Sequence, residues 1–565
     1  MSARCASAVF LMLGGSASAV AAERSPFVEV SAEAGLDFVH FNGMSGEFYM
    51  PEMMGPGIGF LDYDGDGDQD LVLLQGEMLA PGDSSPEPLF PQLVPDRPGF
   101  RLYRNDGGRP VPRFVDVTAA SGLAVRAYGF GVATADIDND GWPDLYFTTL
   151  GADELWLNDG RGGFRRSAFV DSSAKPRWGA SAAFADFDRD GWLDLAVTNY
   201  VRFSLAGNPR CFSKTTARDY CSPSAFEPEA DRLYRNRGDG SFEDLSISSG
   251  IGGPRFPGLG VVTADFDRNG WLDLYVANDQ TPNLLWLNRG DGTFTDASLL
   301  SGSAVNRFGQ VEASMGLEAA DFDGDGDEDL FMTHLTNETN TLFVNEGNAL
   351  FVDRSAESGL GPASVLYTGF GTGVVDYDND GRLDLFIANG AVRILEHLAR
   401  QGDLLPLDEP NQLLRNLGDG RFVEVTTAAG AALATPEVSR GVAVADADND
   451  GDQDLVVANN NARPSLLLNE VGSDGGWIGL QVLAGLSGRA ALGAEVDVIS
   501  ADGLEQRRRV RTDGSYCSSR DPRVLVGLGE ADGAGRLSVR WLSGRELTVE
   551  RPPIGRYLVL YERAR

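Results

Sequence analysis

The chain has 565 residues, 83 Asp and Glu against 47 Lys and Arg, a formal net charge of −36 and four cysteines. That length holds one large repeat array plus a smaller domain, or several domains. The acidity leaves no basic face to neutralise phosphates and excludes nucleic acid as a partner; no CxxC or Cys/His pairing offers a zinc site.

Arg4 precedes an apolar stretch, Ala6 to Leu13, and Val20-Ala21-Ala22 fits a cleavage site before Glu23. Residues 1–22 therefore read as a signal peptide, with a secreted, periplasmic or cell-surface destination. The apolar run is too short to span a bilayer, and no other segment approaches a transmembrane helix. A strand at Phe27-Val28-Glu29-Val30 follows, then SAEAGL; the same words recur as FVDVTAASGL from Phe114 and FVDRSAESGL from Phe351.

Seven copies of D-x-D-x-[DN]-G-x-x-D come next, beginning at Asp62, Asp136, Asp186, Asp265, Asp321, Asp376 and Asp446, at spacings of 74, 50, 79, 56, 55 and 70 residues. Alternating carboxylates in a tight loop suit Ca²⁺, which takes six to eight oxygens at about 2.3–2.6 Å, and glycine at position six permits the sharp turn. Side chains at positions one, three, five and nine are the expected ligands, with the position-seven carbonyl. The first set is Asp62, Asp64, Asp66 and Asp70, with Asp68 giving its carbonyl. The second and third are Asp136, Asp138, Asp140, Asp144 and Asp186, Asp188, Asp190, Asp194. The fourth, Asp265, Asp267, Asn269, Asp273, has a neutral oxygen at position five. Asp321, Asp323, Asp325, Asp329, then Asp376, Asp378, Asp380, Asp384, and finally Asp446, Asp448, Asp450, Asp454 complete about seven calcium sites. Position twelve of the first copy is Leu73, where an EF-hand needs glutamate, and a strand follows where an EF-hand has a helix.

Each copy sits between two apolar strands. An L-x-x-N strand follows, ending at Asn105, Asn158, Asn236, Asn288, Asn345, Asn416 and Asn469, and then a turn such as G-D-G-x-F opens a fourth strand. Four short strands repeated seven times predict an all-β, seven-bladed β-propeller over 23–470. The seventh repeat lacks its fourth strand, and Phe27–Val30 is expected to supply it and close the ring.

Three insertions, at about 77–100, 203–231 and 391–411, fall between the second and third strands of their blades. They should decorate the face opposite the acidic loops, where recognition is expected. Cys211 and Cys221 flank a short loop there and are a disulfide candidate; Cys517 is left over. His40, Asn42, Glu47 and Glu52, ahead of the first loop, form either a polar cluster at the central channel or packing at the closure. The run Arg507, Arg508, Arg509, Arg511 reads as the polar side of a strand. From 475 to 565 the acidic loops stop, and alternation predicts a small β-rich domain with a core of its own.

The acidic loops resemble those of integrin-type FG-GAP repeats. Trp477-Ile478, Asp513-Gly514-Ser515-Tyr516, Val526-Gly527-Leu528-Gly529 and Val539-Arg540-Trp541-Leu542-Ser543-Gly544 are similar to the ASPIC/UnbV domain that follows FG-GAP/VCBS-type repeats in the cartilage acidic protein family. The resemblance implies an exported calcium-binding propeller and no established reaction. The functional expectation is a binding, adhesion or scaffold protein contacting a protein or glycan on its insertion face. The alternative is a polysaccharide-acting hydrolase or lyase, which rests on analogy of fold.

Overall fold

A computed structural model describes residues 25–562 except 81–86, 95, 97, 168–176, 214–216, 404 and 486. The signal-peptide segment and Cys5 lie outside the described residues.

Seven antiparallel four-stranded blades form the propeller. Blade one runs Ile58–Leu61, Asp70–Leu73, Arg101–Asn105, Phe114–Asp116, and the same order repeats through the blade that begins at Gly369–Val375. Blades two and three share one further pairing, Trp178 opposite Leu150. Blade seven takes Ser439–Ala445, Asp454–Asn459 and Ser465–Asn469 from its own repeat and Phe27–Glu29 from the start of the chain. Phe27 pairs with Asn469 and Glu29 with Leu467, so the ring closes as its missing strand foretold.

The third-strand asparagines explain the L-x-x-N words. In every blade the asparagine Nδ2 donates to a carbonyl of the blade before it. Asn158 reaches Tyr63 O at 2.8 Å, Asn288 reaches Phe187 O at 2.8 Å, and Asn105 closes the circle on Ala447 O at 2.8 Å. One buried side chain per blade thus staples neighbours together at the acidic-loop end.

Beyond the propeller, eight strands make two sheets. Arg489–Ala490, Trp477–Ala484 and Val524–Gly527 form one, with Tyr557–Tyr561 parallel to Trp477–Ala484. Glu505–Arg509, Glu495–Ser500, Ala534–Arg540 and Glu546–Glu550 form the other. The expected separate core is not found. Ile478, Val496, Val526 and Leu537 belong to one apolar cluster that continues into Ala133, Tyr146, Phe184 and Leu195 of blades two and three.

The reason is the segment between these sheets. Residues 510–523 leave their own domain and fill the propeller's central channel, bonding to the inner strand of every blade. Ser519 exchanges backbone bonds with Ile58 and Phe60, and the Val132 N–H donates to Cys517 O at 3.2 Å. The Cys517 N–H donates to Ser181 Oγ at 3.1 Å. Asp513 Oδ2 accepts from both N and Oγ1 of Thr263 at 2.8 and 2.6 Å. Leu317 N donates to Ser515 O, Thr372 N to Ser515 Oγ and Asp521 N to Val444 O. Glycine-rich inner strands permit this: a Cβ on Gly57 would lie 1.7 Å from the Cys517 carbonyl oxygen.

Arg511 and Glu318 form a nearly dry ion pair at 2.6 Å, their side chains 8% and 2% exposed. Arg511→Met should strand the Glu318 charge and destabilise by about 3–5 kcal/mol, whereas Arg511→Met with Glu318→Leu should recover most of that loss. Denaturant unfolding of the two variants checks this; equal losses would show that the pair is not what anchors the plug.

Candidate metal centres and the two faces

The acidic loops are built alike. Positions four and six take left-handed backbone: φ is 57° at Asn139 and 94° at Gly141, and 56° at Arg268 and 92° at Gly270. Glycine at six was legible as a turn signal. The Gly or Asn at position four in five of seven loops was the overlooked sign, and Arg189 and Arg268 adopt the same conformation at a cost of roughly 1 kcal/mol.

Position nine is the hub. Asp273 Oδ2 accepts the Phe266 N–H at 3.0 Å and Oδ1 accepts the Asn288 N–H at 2.8 Å. The same pair of bonds recurs at Asp70, Asp144, Asp194, Asp329, Asp384 and Asp454. The position-one carboxylate accepts from the glycine N–H at position six, as Asp265 does from Gly270 at 2.7 Å. Each loop is thereby wound so that its carboxylates converge.

Asp62, Asp64 and Asp66 bring one oxygen each within 4.8 Å of one another, as do Asp136, Asp138 and Asp144, then Asp186, Asp188 and Asp190, then Asp321, Asp323 and Asp325. Loop four does so through Asp265, Asp267 and Asp273, and the Asn269 Oδ1 accepts the Trp271 N–H as Asp140 Oδ1 accepts the Trp142 N–H. Two further groups of this kind occur among the described residues. Buried oxygens that no protein donor reaches remain on Asp64, Asp138, Asp186, Asp265, Asp376 and Asp378. Oxygen-only clusters with orphaned buried acceptors fit a hard cation such as Ca²⁺. In loops three and six an arginine also approaches: Arg235 lies 2.7 Å from Asp188, and Arg415 lies 2.7 Å from Asp378.

Burial raises the carboxyl pKa values, most at position nine. Asp70 and Asp329 are pushed up to about 9, and Asp144, Asp194 and Asp273 to about 8. Position-one aspartates such as Asp62 and Asp136 rise to about 6, again by burial.

The C-terminal sheets cover this face. The arginine run lies on Glu505–Arg509 as a strand, but its heads dock the loops. Arg507 Nη1 donates to Gly326 O, Arg508 Nη2 donates to Gly381 O at 3.0 Å, and Arg509 pairs with Glu328 at 2.9 Å. Tyr557 donates its hydroxyl to Asp446 Oδ2 at 2.8 Å.

The opposite face is a cap. The three insertions meet residues 44–54 there: Leu89 N donates to Met44 O, Arg218 lies 3.1 Å from Glu47, and Asn208 Nδ2 donates to Glu47 O. Met50, Met53, Met54, Trp178, Tyr200 and Tyr220 pack beneath, against Tyr516 at the tip of the plug. Cys211 and Cys221 form a disulfide in the second insertion. Cys517 is buried, and burial raises its thiol to about 12. The polar residues before loop one do not line an open channel. His40 is buried and its Nδ1 accepts the Asn461 N–H; burial lowers it to about 3. Asn42 bonds Glu52 O, and Glu52 accepts from Tyr220 Oη at 3.2 Å, its carboxyl raised to about 8 by burial. Glu47 alone reaches the surface, with Arg218.

Residues 62–147, 136–197, 221–276, 265–332, 321–387 and 403–457 match the FG-GAP-like repeat family, and 485–565 match ASPIC and UnbV. The chain belongs to the FG-GAP-like repeat family and carries an ASPIC and UnbV module. Cartilage acidic protein 1 of Homo sapiens is 32% identical over 170 residues, 28% of this chain and 24% of that protein. Its Xenopus tropicalis counterpart is 32% identical over 167 residues, 28% and 25% of the two chains. The chain thus matches about a quarter of these relatives' length. Among solved structures, an Agrocybe aegerita lectin that recognises non-reducing terminal N-acetylglucosamine gives a TM-score of 0.38 at 16% identity, over 64% of this chain and 82% of its own. The BP39L lectin of Burkholderia pseudomallei gives 0.39 at 10%, over 74% and 96%. At those values neither likeness bears on function.

Two outcomes are expected. Asn288→Ala removes donors from two buried carbonyls, Phe187 O and Leu272 O, and should cost about 1–3 kcal/mol in denaturant unfolding; no loss would mean the staple is idle. In chelator, carboxyls whose folded pKa lies above the unfolded 3.8 favour the fold while protonated, and that support drains away as pH rises through 8 to 9. The melting temperature in chelator should therefore fall between pH 6 and pH 9, and saturating calcium should abolish the fall. A flat profile in chelator contradicts this.

Proposed function

We propose that this protein is an exported, calcium-binding propeller that acts as a binding or scaffold protein, recognising a protein or glycan on its insertion-bearing cap. The carrying observation is the disposition of its surfaces. The channel holds residues 510–523, and the acidic-loop face carries the C-terminal sheets, so the cap is the broad face left open. On it, Phe212 stands 64% exposed on the disulfide-closed hairpin Cys211–Phe212 and Arg218–Asp219. An exposed aromatic on a braced loop is the kind of anchor that binding surfaces use. The cation's role is structural: bound to each cluster it replaces mutual repulsion with coordination and pins the hairpin between the first and second strands. A polysaccharide-acting enzyme would need a carboxylate pair in an open cleft, and the cap's buried Glu52 and the plugged channel supply no support for that reading.

Purified protein in calcium, screened against immobilised glycans and extracellular proteins, should give a partner whose binding is weakened about tenfold or more by Phe212→Ala, the loss of one anchor. The same binding should survive Arg536→Ala on the C-terminal sheets. Loss with Arg536→Ala and retention with Phe212→Ala would place recognition elsewhere.

A further inference from the structure

A cavity of about 520 Å³ lies between the acidic loops of blades one and two and the C-terminal sheets, with both ends of the plug in its walls. That volume falls within the range of small-molecule sites. Two hydrogen-bonding side chains on its wall are under-used. Arg489 is 8% exposed, yet its guanidinium makes only two long bonds, to Gly191 O at 3.3 Å and Ala490 O at 3.5 Å, with Asp186 no nearer than 3.9 Å. The Gln481 amide makes no hydrogen bond with any described residue. Trp142 and Tyr557 add aromatic surface, and Leu483 and Leu492 add apolar surface.

A half-dry guanidinium with spare donors calls for a carboxylate. A free amide beside aromatic rings suits hydroxyls on a compact ring. We propose that this cavity binds an acidic sugar, a uronate residue, with its carboxylate on Arg489 and its ring against Trp142. Asp62, Asp66, Asp68 and Asp136 sit on the same wall, so an anion is welcome only when their charge is offset. The inference therefore rests on the calcium reading above.

The test is calorimetric titration of the full chain with D-glucuronate, D-glucose and acetate at saturating calcium, with bound metal measured on the same sample. Glucuronate should bind more tightly than acetate, which lacks the ring, and at least about tenfold more tightly than glucose, the worth of one charge-assisted hydrogen bond. Arg489→Gln should lose that margin, Arg489→Lys should keep part of it, and Gln481→Leu should weaken glucuronate with the fold intact by circular dichroism. Should Arg489→Gln fail to fold, the wild-type ranking and Gln481→Leu still decide. A calcium-loaded protein that ignores glucuronate, or binds it as well after Gln481→Leu and Arg489→Gln, overturns the site. A protein that takes up neither calcium nor glucuronate overturns both readings.

Discussion

Seven like-charged clusters must be held at one end of a disc, and the position-nine aspartate is what holds them. Its two oxygens take N–H groups from the start of its own loop and from the third strand of its blade, so one carboxyl ties loop, strand and acidic cluster together. The asparagine that gives it the second N–H uses its side chain to grip the neighbouring blade. Loop geometry and ring geometry are therefore one network, and whatever relieves the charge at the clusters acts on the whole ring.

The same charge explains the C-terminal sheets. Arg507, Arg508, Arg509 and Arg523 are spent on the acidic-loop face: Arg507, Arg508 and Arg523 bond loop carbonyls, and Arg509 pairs with Glu328. Between two of those arginines the chain dives through the channel and meets the methionine- and tyrosine-rich cap at Tyr516, whose hydroxyl reaches Met54 O. Both ends of the propeller are thus closed by segments more than 400 residues apart in places, with the plug as their common axis.

Much of this was written locally. The blade count follows from the seven loops, and ring closure from a fourth strand missing at Asn469 and present at Phe27. Left-handed turns follow from glycine at position six. What stayed hidden was long-range. Asp513-Gly514-Ser515-Tyr516 carries no periodicity to say that it leaves its own domain, and Asp513 meets Thr263 across 250 residues of chain. The arginine run reads as a strand's polar side because alternation reports the strand and not what lies opposite. Likewise the insertions read only as loops decorating one face, because length alone does not reveal that they share a core with Met50, Met53 and Met54.

The most direct measurement is metal content by mass spectrometry together with thermal unfolding in calcium and in chelator. About seven calcium ions per chain, and a melting temperature that drops by many degrees on chelation, are the expected result for clusters that fold around a cation. A protein that carries little metal and melts at one temperature in both conditions would show that the acidic loops are solvated turns, and that the position-nine network holds the ring without a cation.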